Sequence, residues 1–286
     1  MNKQVEDHWK QASKGLNERA YRSPTAMNAV RLQIAKDILK SYPKGRLLDA
    51  GCGGGATSTA MMDDGWDVTP IDFSADMVRE TNARLSERGI IDREAFQAPV
   101  TDLSKFEDGS FDAIICLGVM YYVEEDEKAY QEFRRVLKPG GVLLCSMQNE
   151  FFDLFTLNRY TRRFFKRHFF PLLDGGDKEK VEHLDQALSS LLVNPEEPKS
   201  HDPGSSRDAV FMRQDNPIAY PEKVSSFGFE KISGPYYHGI HLVPPILERS
   251  NSEWEQESAE KQYGLAEDWR GMFNAAHFLY EFRKDA

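Results

Sequence analysis

The sequence is poor in cysteine, and its cysteines lack the spacing of metal ligands. Among 286 residues there are three, Cys52, Cys116 and Cys145, all in or beside segments that read as buried strands. Buried strand cysteines behave as small hydrophobic residues. An odd count without metal-binding spacing predicts no metal site, and free thiols in a reducing cytoplasm.

Long apolar runs and an excess of basic residues are also missing. No run approaches the roughly 20 apolar residues of a membrane span, and residues 1–8 carry no apolar signal-peptide core. Lysine and arginine total 36 against 46 acidic residues, a formal net charge of −10, which argues against a nucleic-acid partner. The mean hydropathy of −0.58 predicts a soluble globular protein.

The most informative stretch is a glycine-rich turn after a short apolar segment. Leu47 and Leu48 suit a buried parallel strand, and residues 49–55 continue as DAGCGGG. Glycine allows a tight strand-to-helix turn and leaves no side chain between the backbone and a ligand. Residues 56–64 favour a helix whose free N–H groups face this turn. The pattern predicts a ligand-binding cradle at the carboxyl end of a strand.

A nucleotide-binding unit of this type is expected to carry a carboxylate about 20 residues further on. Residues 67–71 read as the second strand, Asp72 ends it, and Ser74 caps a helix that runs to about Gly89. The Asp72 carboxylate can therefore accept both hydroxyl hydrogens of a ribose.

These two stretches resemble the class I S-adenosylmethionine-dependent methyltransferase family of small-molecule type. Residues 108–116 resemble the family's fourth strand, and residues 137–144 resemble the turn into its fifth. The resemblance covers roughly residues 45–148, about one domain. It implies an α/β fold with a doubly wound, mostly parallel, seven-stranded sheet and an inserted cap. It also implies a transferase with S-adenosylmethionine as its cofactor.

Four regions are predicted along the chain. An N-terminal helical lid occupies residues 1–45, the cofactor-binding core 46–148, an inserted substrate cap 149–215, and the strands that complete the sheet 216–286. Within the lid, apolar residues recur at helical spacing over residues 24–40.

The resemblance assigns the cofactor contacts. Asp49 would hold the amino group of the methionine portion, Asp72 the ribose hydroxyls, and Phe73 and Met77 would pack near adenine. The family commonly has an acidic residue after the third strand, where this chain has Pro99, so the backbone of Val100 is the expected adenine contact. The predicted cofactor-binding residues are Asp49, Ala50, Gly51, Gly53, Gly55, Asp72, Phe73, Met77, Val100 and Leu117.

Acceptor contacts are expected where residues 117–122 leave the fourth strand and line the pocket. A hydroxyl acceptor benefits from a general base, and histidine titrates near neutrality. Residues 234–245 read as a pocket-wall loop, which makes His241, and second His238, the candidate bases; a histidine satisfied by a backbone carbonyl is the alternative. The predicted acceptor-binding residues are Tyr21, Arg22, Tyr121, Tyr122 and Arg159.

Residues 151–170 are rich in both aromatic and basic side chains and admit three interpretations. The first is a cap helix with its phenylalanines on the sheet and its arginines in solvent. The second is binding of an anionic acceptor by Arg159, Arg162 or Arg163. The third and least favoured is attachment to an anionic lipid surface.

The predicted function is O-methylation of a sugar, a glycan or a related small molecule. One alternative is an NAD-dependent oxidoreductase, because residues 51–56 also fit the G-x-G-x-x-G/A pattern. Asp49 and the turn at residues 138–141 argue against it. Another alternative is a module that binds the cofactor or a lipid and transfers nothing. The oligomeric state is not predicted.

Overall fold

A single sheet organises the protein. The computed structural model describes residues 27–173, 178–193, 212–248 and 252–285. The strands are β1 (Arg46–Ala50), β2 (Asp67–Asp72), β3 (Phe96–Gln97), β4 (Phe111–Cys116), β5 (Leu137–Asn149), β6 (Gln214–Asp215), β7 (Phe229–Ile240) and β8 (Ala275–Lys284).

The strand order is β3-β2-β1-β4-β5-β8-β7, with β6 paired to the end of β5. All pairings from β3 to β6 are parallel, whereas β8 is antiparallel to both β5 and β7. The predicted doubly wound, mostly parallel sheet is thus confirmed. The two-residue β6 is an eighth strand beyond the seven that were predicted.

Eleven α-helices fall within the described ranges, and none of them is long and apolar enough to cross a membrane. They are α1 (Met27–Leu39), α2 (Ala56–Asp63), α3 (Ala75–Glu87), α4 (Asp126–Val136), α5 (Phe152–Phe155), α6 (Arg159–His168), α7 (Lys178–Leu191), α8 (Tyr220–Ser225), α9 (Pro245–Glu248), α10 (Ser252–Glu260) and α11 (Gly271–Asn274). Short 3₁₀ turns occupy Met120–Tyr122, Phe170–Leu172 and Tyr263–Leu265.

The central strands are buried on both faces, as their apolar sequences predict. Successive strand side chains point to opposite faces, so Leu47 packs in the layer under α1 whereas Leu48 packs in the layer under α4. The same alternation places Ile115 with α1 and Ile114 with α4. Helices on both faces leave the carboxyl edge of the strands as the open side of the sheet.

The order reverses between β1 and β4, since β2 lies on one side of β1 and β4 on the other. Open α/β sheets bind ligands in the crevice at such a point. Gly51 follows β1 there and Leu117 follows β4. The fold therefore brings the glycine-rich turn and the exit of the fourth strand side by side.

One sequence prediction was wrong. Residues 234–240 were read as part of a loop, but they continue β7 and pair with β8. Pro235 cannot donate to a ladder, and proline is tolerated on edge strands; β7 is the edge of the main sheet, with register shifts on both sides of Ser233. His238 therefore lies within a strand, while His241 follows its end.

Between β5 and β6 the chain forms α5, α6 and α7, where the sequence predicted the cap. Tyr21 and Arg22 of the predicted lid lie outside the described residues. The division into lid, core, cap and completing strands stays a prediction.

Candidate functional site

The glycine turn after β1 is shaped by backbone geometry that other residues rarely adopt. Gly51, Gly53 and Gly55 have φ values of 95°, 52° and 79°. A Cβ atom at Gly51 would lie 2.2 Å from Cγ2 of Val119, whereas one at Gly53 would meet nothing within 4 Å. The turn thus packs closely against the exit of β4 and stays open at Gly53.

The side chain of Asp72 is held by the same turn. Its Oδ2 accepts a hydrogen bond from the Gly53 N–H (3.0 Å), and its Oδ1 accepts one from the Ser74 N–H (2.9 Å). Burial raises the pKa of Asp72 to about 6, although these two N–H groups oppose the shift. Each carboxylate oxygen keeps a free lone pair, so the group can accept two more hydrogen bonds.

Asp49 lies beneath the turn. Its Oδ2 accepts a hydrogen bond from Ser58 Oγ (2.5 Å), and the residue is 2% exposed. Burial raises the pKa of Asp49 to about 7, the charge of Asp72 adds to the shift, and Ser58 and Arg31 oppose it. A cation bound above the turn would favour the ionised form of this carboxyl group.

A cavity opens between the glycine turn, the end of β2 and the exit of β4. Seven of the predicted cofactor-binding residues line it together with the predicted acceptor residue Tyr122, and Ala98, Gly118 and Val119 complete the wall. The seven are Gly51, Gly53, Asp72, Phe73, Met77, Val100 and Leu117. The other three, Asp49, Ala50 and Gly55, do not line the cavity. The end near Ala98 and Val100 is apolar.

Arg31 packs against Gly118 of the cavity wall, a contact that the sequence did not reveal. It lies on α1, is 6% exposed, and its Nη2 donates to Oδ1 of Asn28 (3.0 Å). Its buried Nη1 has no hydrogen-bond partner within the described ranges. A Cβ atom at Gly118 would lie 2.6 Å from this Nη1. The signal was an arginine on the buried face of an amphipathic helix, between Val30 and Ile34.

Aromatic side chains extend from the cavity towards β8. The ring of Tyr121, which is 6% exposed, lies 5.8 Å from that of His277, and His277 stacks on His238 at 5.4 Å. Burial raises the pKa of Tyr121, and the Arg31 guanidinium opposes the shift. The sequence predicted His277 only as part of the last strand, because the alternating pattern of residues 275–283 does not show that its ring contacts Tyr121 and His238.

The two candidate bases have different surroundings. His238 is fully buried, and burial, with a smaller effect from Arg31, lowers its pKa to about 3. Such a histidine stays neutral and is a weak base at pH 7. His241 lies beyond the end of β7 with 29% of its side chain exposed, and its Nδ1 is hydrogen-bonded to Glu248. Neither histidine lines the cavity.

The basic helix α6 is joined to α7 by an ion pair. Nε and Nη2 of Arg162 each donate to a carboxylate oxygen of Asp185 at 2.7 Å. Phe164 on the other face is buried, which favours the interpretation of apolar packing on one face and exposed cations on the other. Arg159 lines a surface depression with four further cations and shares no wall with the cavity.

Comparison with known proteins identifies the central part of the chain. Residues 48–145 match a family described as a methyltransferase domain. A ubiquinone biosynthesis O-methyltransferase of Xanthomonas axonopodis pv. citri (strain 306) is 36% identical over 125 residues, which cover 43% of this chain and 51% of the relative. Its counterpart in Xanthomonas campestris pv. campestris (strain B100) is 35% identical over 124 residues, with the same two shares. The chain thus spans about half the length of the curated relatives it matches.

Solved structures share the fold over most of the chain. A 1,6-didemethyltoxoflavin-N1-methyltransferase of Burkholderia thailandensis, solved with bound 1,6-didemethyltoxoflavin and S-adenosylhomocysteine, has a TM-score of 0.56 at 13% identity, covering 99% of this chain and 88% of that one. The [4+2]-cyclase SpnF has a TM-score of 0.53 at 18% identity, covering 91% and 83%. At these identities the likeness concerns the fold alone. With the matched family, it confirms the resemblance drawn from the glycine turn, and the oxidoreductase alternative loses its support.

Proposed function

Since residues 48–145 are a class I S-adenosylmethionine-dependent methyltransferase domain, we propose that the chain transfers the methyl group of this cofactor to a hydroxyl group of a small molecule. The observation that carries the proposal is the wall of the cavity. A glycine-rich turn lies there beside a buried carboxylate with free lone pairs, and the Arg31 guanidinium, whose Nη1 has no hydrogen-bond partner among the described residues, packs behind Gly118 of the same wall.

The residues present fit the cofactor from end to end. Asp72 would accept the ribose hydroxyl hydrogens, and Phe73, Met77, Ala98 and Val100 would pack on the adenine ring. The glycine turn lets the backbone approach the methionine portion, with the negative charge of Asp49 beneath it. Nη1 of Arg31 would donate a hydrogen bond to the carboxylate of that portion, because hydrogen bonds between a guanidinium and a carboxylate are among the strongest in proteins.

When bound, the cofactor supplies a methyl group that its sulfonium charge already activates. The chain then has to align the acceptor with this group and keep water away. Alignment alone can lower a barrier by on the order of 7–11 kcal/mol at best. The apolar wall on the β4 side of the cavity is formed by Leu117, Val119 and Tyr122. Residues 149–215 would act as a cap over the cavity, and residues 1–45 as a lid.

The acceptor is proposed to be a hydroxyl on a ring. The curated relatives are named as O-methyltransferases of ubiquinone biosynthesis, and the aromatic side chains of Tyr121, Tyr122 and His277 near the cavity suit a flat ring. A sugar or glycan hydroxyl, predicted from the sequence, is the alternative acceptor. Of the two candidate bases, the burial of His238 favours His241. An anionic acceptor that reaches Arg159, and a cytoplasmic location, stay predictions.

Calorimetry and turnover together test this proposal. S-adenosylhomocysteine should bind the purified chain, and S-adenosylmethionine should be consumed in the presence of an acceptor. Catechol, 3-hydroxybenzoate, methyl glucoside and galacturonate separate phenol from sugar and neutral from anionic acceptors. Binding without turnover on any of the four would favour the non-catalytic module. Absence of binding would overturn the proposal.

A further inference from the structure

A histidine held by a buried carboxylate lies at the end of β7. Nδ1 of His241 is hydrogen-bonded to one carboxylate oxygen of Glu248, and the other oxygen accepts the hydroxyl hydrogen of Ser258. Glu248 is 4% exposed. Within the described part of the chain, Nε2 of His241 forms no hydrogen bond. One ring nitrogen is therefore fixed and the other is available.

The backbone around this histidine is fixed as well. The side-chain amide of Gln262 binds Ile240 twice, accepting from its N–H (2.8 Å) and donating to its carbonyl (2.7 Å). The N–H of His241 donates to the Asn274 carbonyl (2.9 Å), and the N–H of Leu242 donates to Ser258 Oγ (3.1 Å). Three consecutive residues are thus held, so the ring is positioned by its backbone and its carboxylate together.

The position of the ring relates it to the cavity edge. β5 and β7 run in the same direction because each pairs antiparallel with β8, so the end of β7 lies at the carboxyl edge of the sheet. The His241 ring packs 5.2 Å from that of Phe152, which begins α5 just after β5. β5 is the neighbour of β4, whose exit forms the cavity wall. Since β5 and β8 lie between β4 and β7, an acceptor that extends across the carboxyl ends of these two strands would reach both.

We propose that Glu248 is a positioning residue that keeps the ring hydrogen of His241 on Nδ1, so that Nε2 accepts the hydroxyl proton of the methyl acceptor. This inference rests on the proposed methyl transfer. In that step the acceptor oxygen forms a bond to the methyl carbon, and the carbon–sulfur bond breaks with its electron pair staying on sulfur. The hydroxyl proton moves to Nε2 and then to solvent.

A purely structural role is the competing explanation, because the same contacts join α9 and α10 to the sheet. The two explanations differ in what the ring does when Glu248 is changed. Of the described side chains that contact His241, Glu248 is titratable and Phe152 is not. Ser258, the second hydrogen-bond partner of Glu248, carries no charge. A change in tautomer or in pH profile therefore reports on this pair.

Nitrogen-15 NMR of the full chain tests the tautomer without any acceptor. With His241→Gln used for assignment, the neutral ring of His241 should carry its hydrogen on Nδ1. Glu248→Leu should shift it largely to Nε2, while Glu255→Gln, an exposed glutamate on α10, should leave it unchanged. A ring with its hydrogen on Nε2 in the unmodified protein would overturn the proposal.

Kinetics with catechol as the probe acceptor give the second readout. A positioned base is worth about 10²–10⁴ in rate, so Glu248→Gln should lower kcat roughly tenfold or more and alter its pH profile. Glu248→Asp should recover part of the loss, and the KM for S-adenosylmethionine should not change. A lower Tm with an unaltered kcat and pH profile would show a structural role only and overturn the inference.

If catechol is not methylated, the NMR result decides. If the unmodified chain does not bind S-adenosylhomocysteine, the proposed function is refuted instead.

Discussion

The guanidinium group of Arg31 occupies the space that a side chain at Gly118 would need. A Cβ atom there would lie 2.6 Å from Nη1 and 3.0 Å from Nη2 of Arg31. Gly118 belongs to the cavity wall, and its N–H donates to Ser146 Oγ (2.9 Å). The absence of a side chain at this position therefore lets the positively charged Arg31 of α1 pack directly against the cavity wall.

Gly118→Ala tests this relationship. The new methyl group should displace Arg31 and weaken S-adenosylhomocysteine binding roughly tenfold or more, about 1.4 kcal/mol. Gly140→Ala is the matched control, because Gly140 has a similar φ of 74° against 85° and nothing within 4 Å of a Cβ atom. Both variants should lose stability from backbone strain, but calorimetry should show weaker binding for Gly118→Ala alone. Equal affinities would contradict the arrangement.

Arg31→Met tests which part of the ligand the guanidinium recognises. A hydrogen bond to a charged group contributes about 1.5–3 kcal/mol, so the affinity for S-adenosylhomocysteine should fall roughly 10- to 100-fold. The affinity for 5′-methylthioadenosine, which lacks the carboxylate, should change much less. Lys40→Met, an exposed change just after α1, serves as the control. Similar losses for both ligands would place Arg31 away from the carboxylate.

Asp72→Asn tests the ribose contact. The amide keeps the shape of the side chain but replaces one acceptor oxygen by a donor, so it cannot serve both the N–H groups of Gly53 and Ser74 and the ribose hydroxyls. Binding of S-adenosylhomocysteine and of adenosine should both fall by at least about tenfold, since each lost charged hydrogen bond is worth about 1.5–3 kcal/mol. Asp67→Asn, on the exposed start of the same strand, should bind both normally. Unchanged adenosine affinity in Asp72→Asn would refute the role.

The sequence was sufficient where local backbone geometry decides the structure. Gly51 and Gly53 adopt positive φ values in a tight turn, and Asp72 accepts the N–H groups of that turn, so their roles follow from a short stretch of chain. Arg31 could not be found in this way. Its place against the cavity wall depends on how α1 packs on the exit of β4, a contact between residues 87 positions apart.

The histidines show a second limit. Glycine and proline near residues 234–235 favour a turn in the sequence, but pairing with β8 extends β7 through them. Tertiary pairing overrode local propensity there, and it turned His238 from a loop residue into a buried one. The Glu248 contact of His241 depends on how residues 242–244 direct α9 back onto the end of β7, and the predicted loop did not specify that direction.

The pH dependence of cofactor binding follows from the buried carboxyl groups. Burial raises the pKa of Asp72 to about 6 and that of Asp49 to about 7, against about 3.9 in an unfolded chain. Between pH 4 and 7 the ligand-free fold thus binds more protons than the unfolded chain, and these two groups lower its stability as the pH rises. A sulfonium ligand favours the ionised forms, so its affinity should rise over the same interval.

Thermal unfolding from pH 5 to 8, with and without S-adenosylmethionine, measures both effects. The increase in Tm caused by the ligand should grow with pH up to about 7, because binding to the native state alone raises stability. Asp72→Asn should flatten this rise. The unfolding free energy of the unmodified protein should fall relative to Asp72→Asn as the pH increases. Burial lowers the pKa of His238 to about 3, so this group makes the stability rise with pH below pH 6.5. It does so equally in the unmodified protein and in Asp72→Asn, and the difference between the two is unchanged. A ligand effect of constant size across the range would contradict ionisation-linked binding.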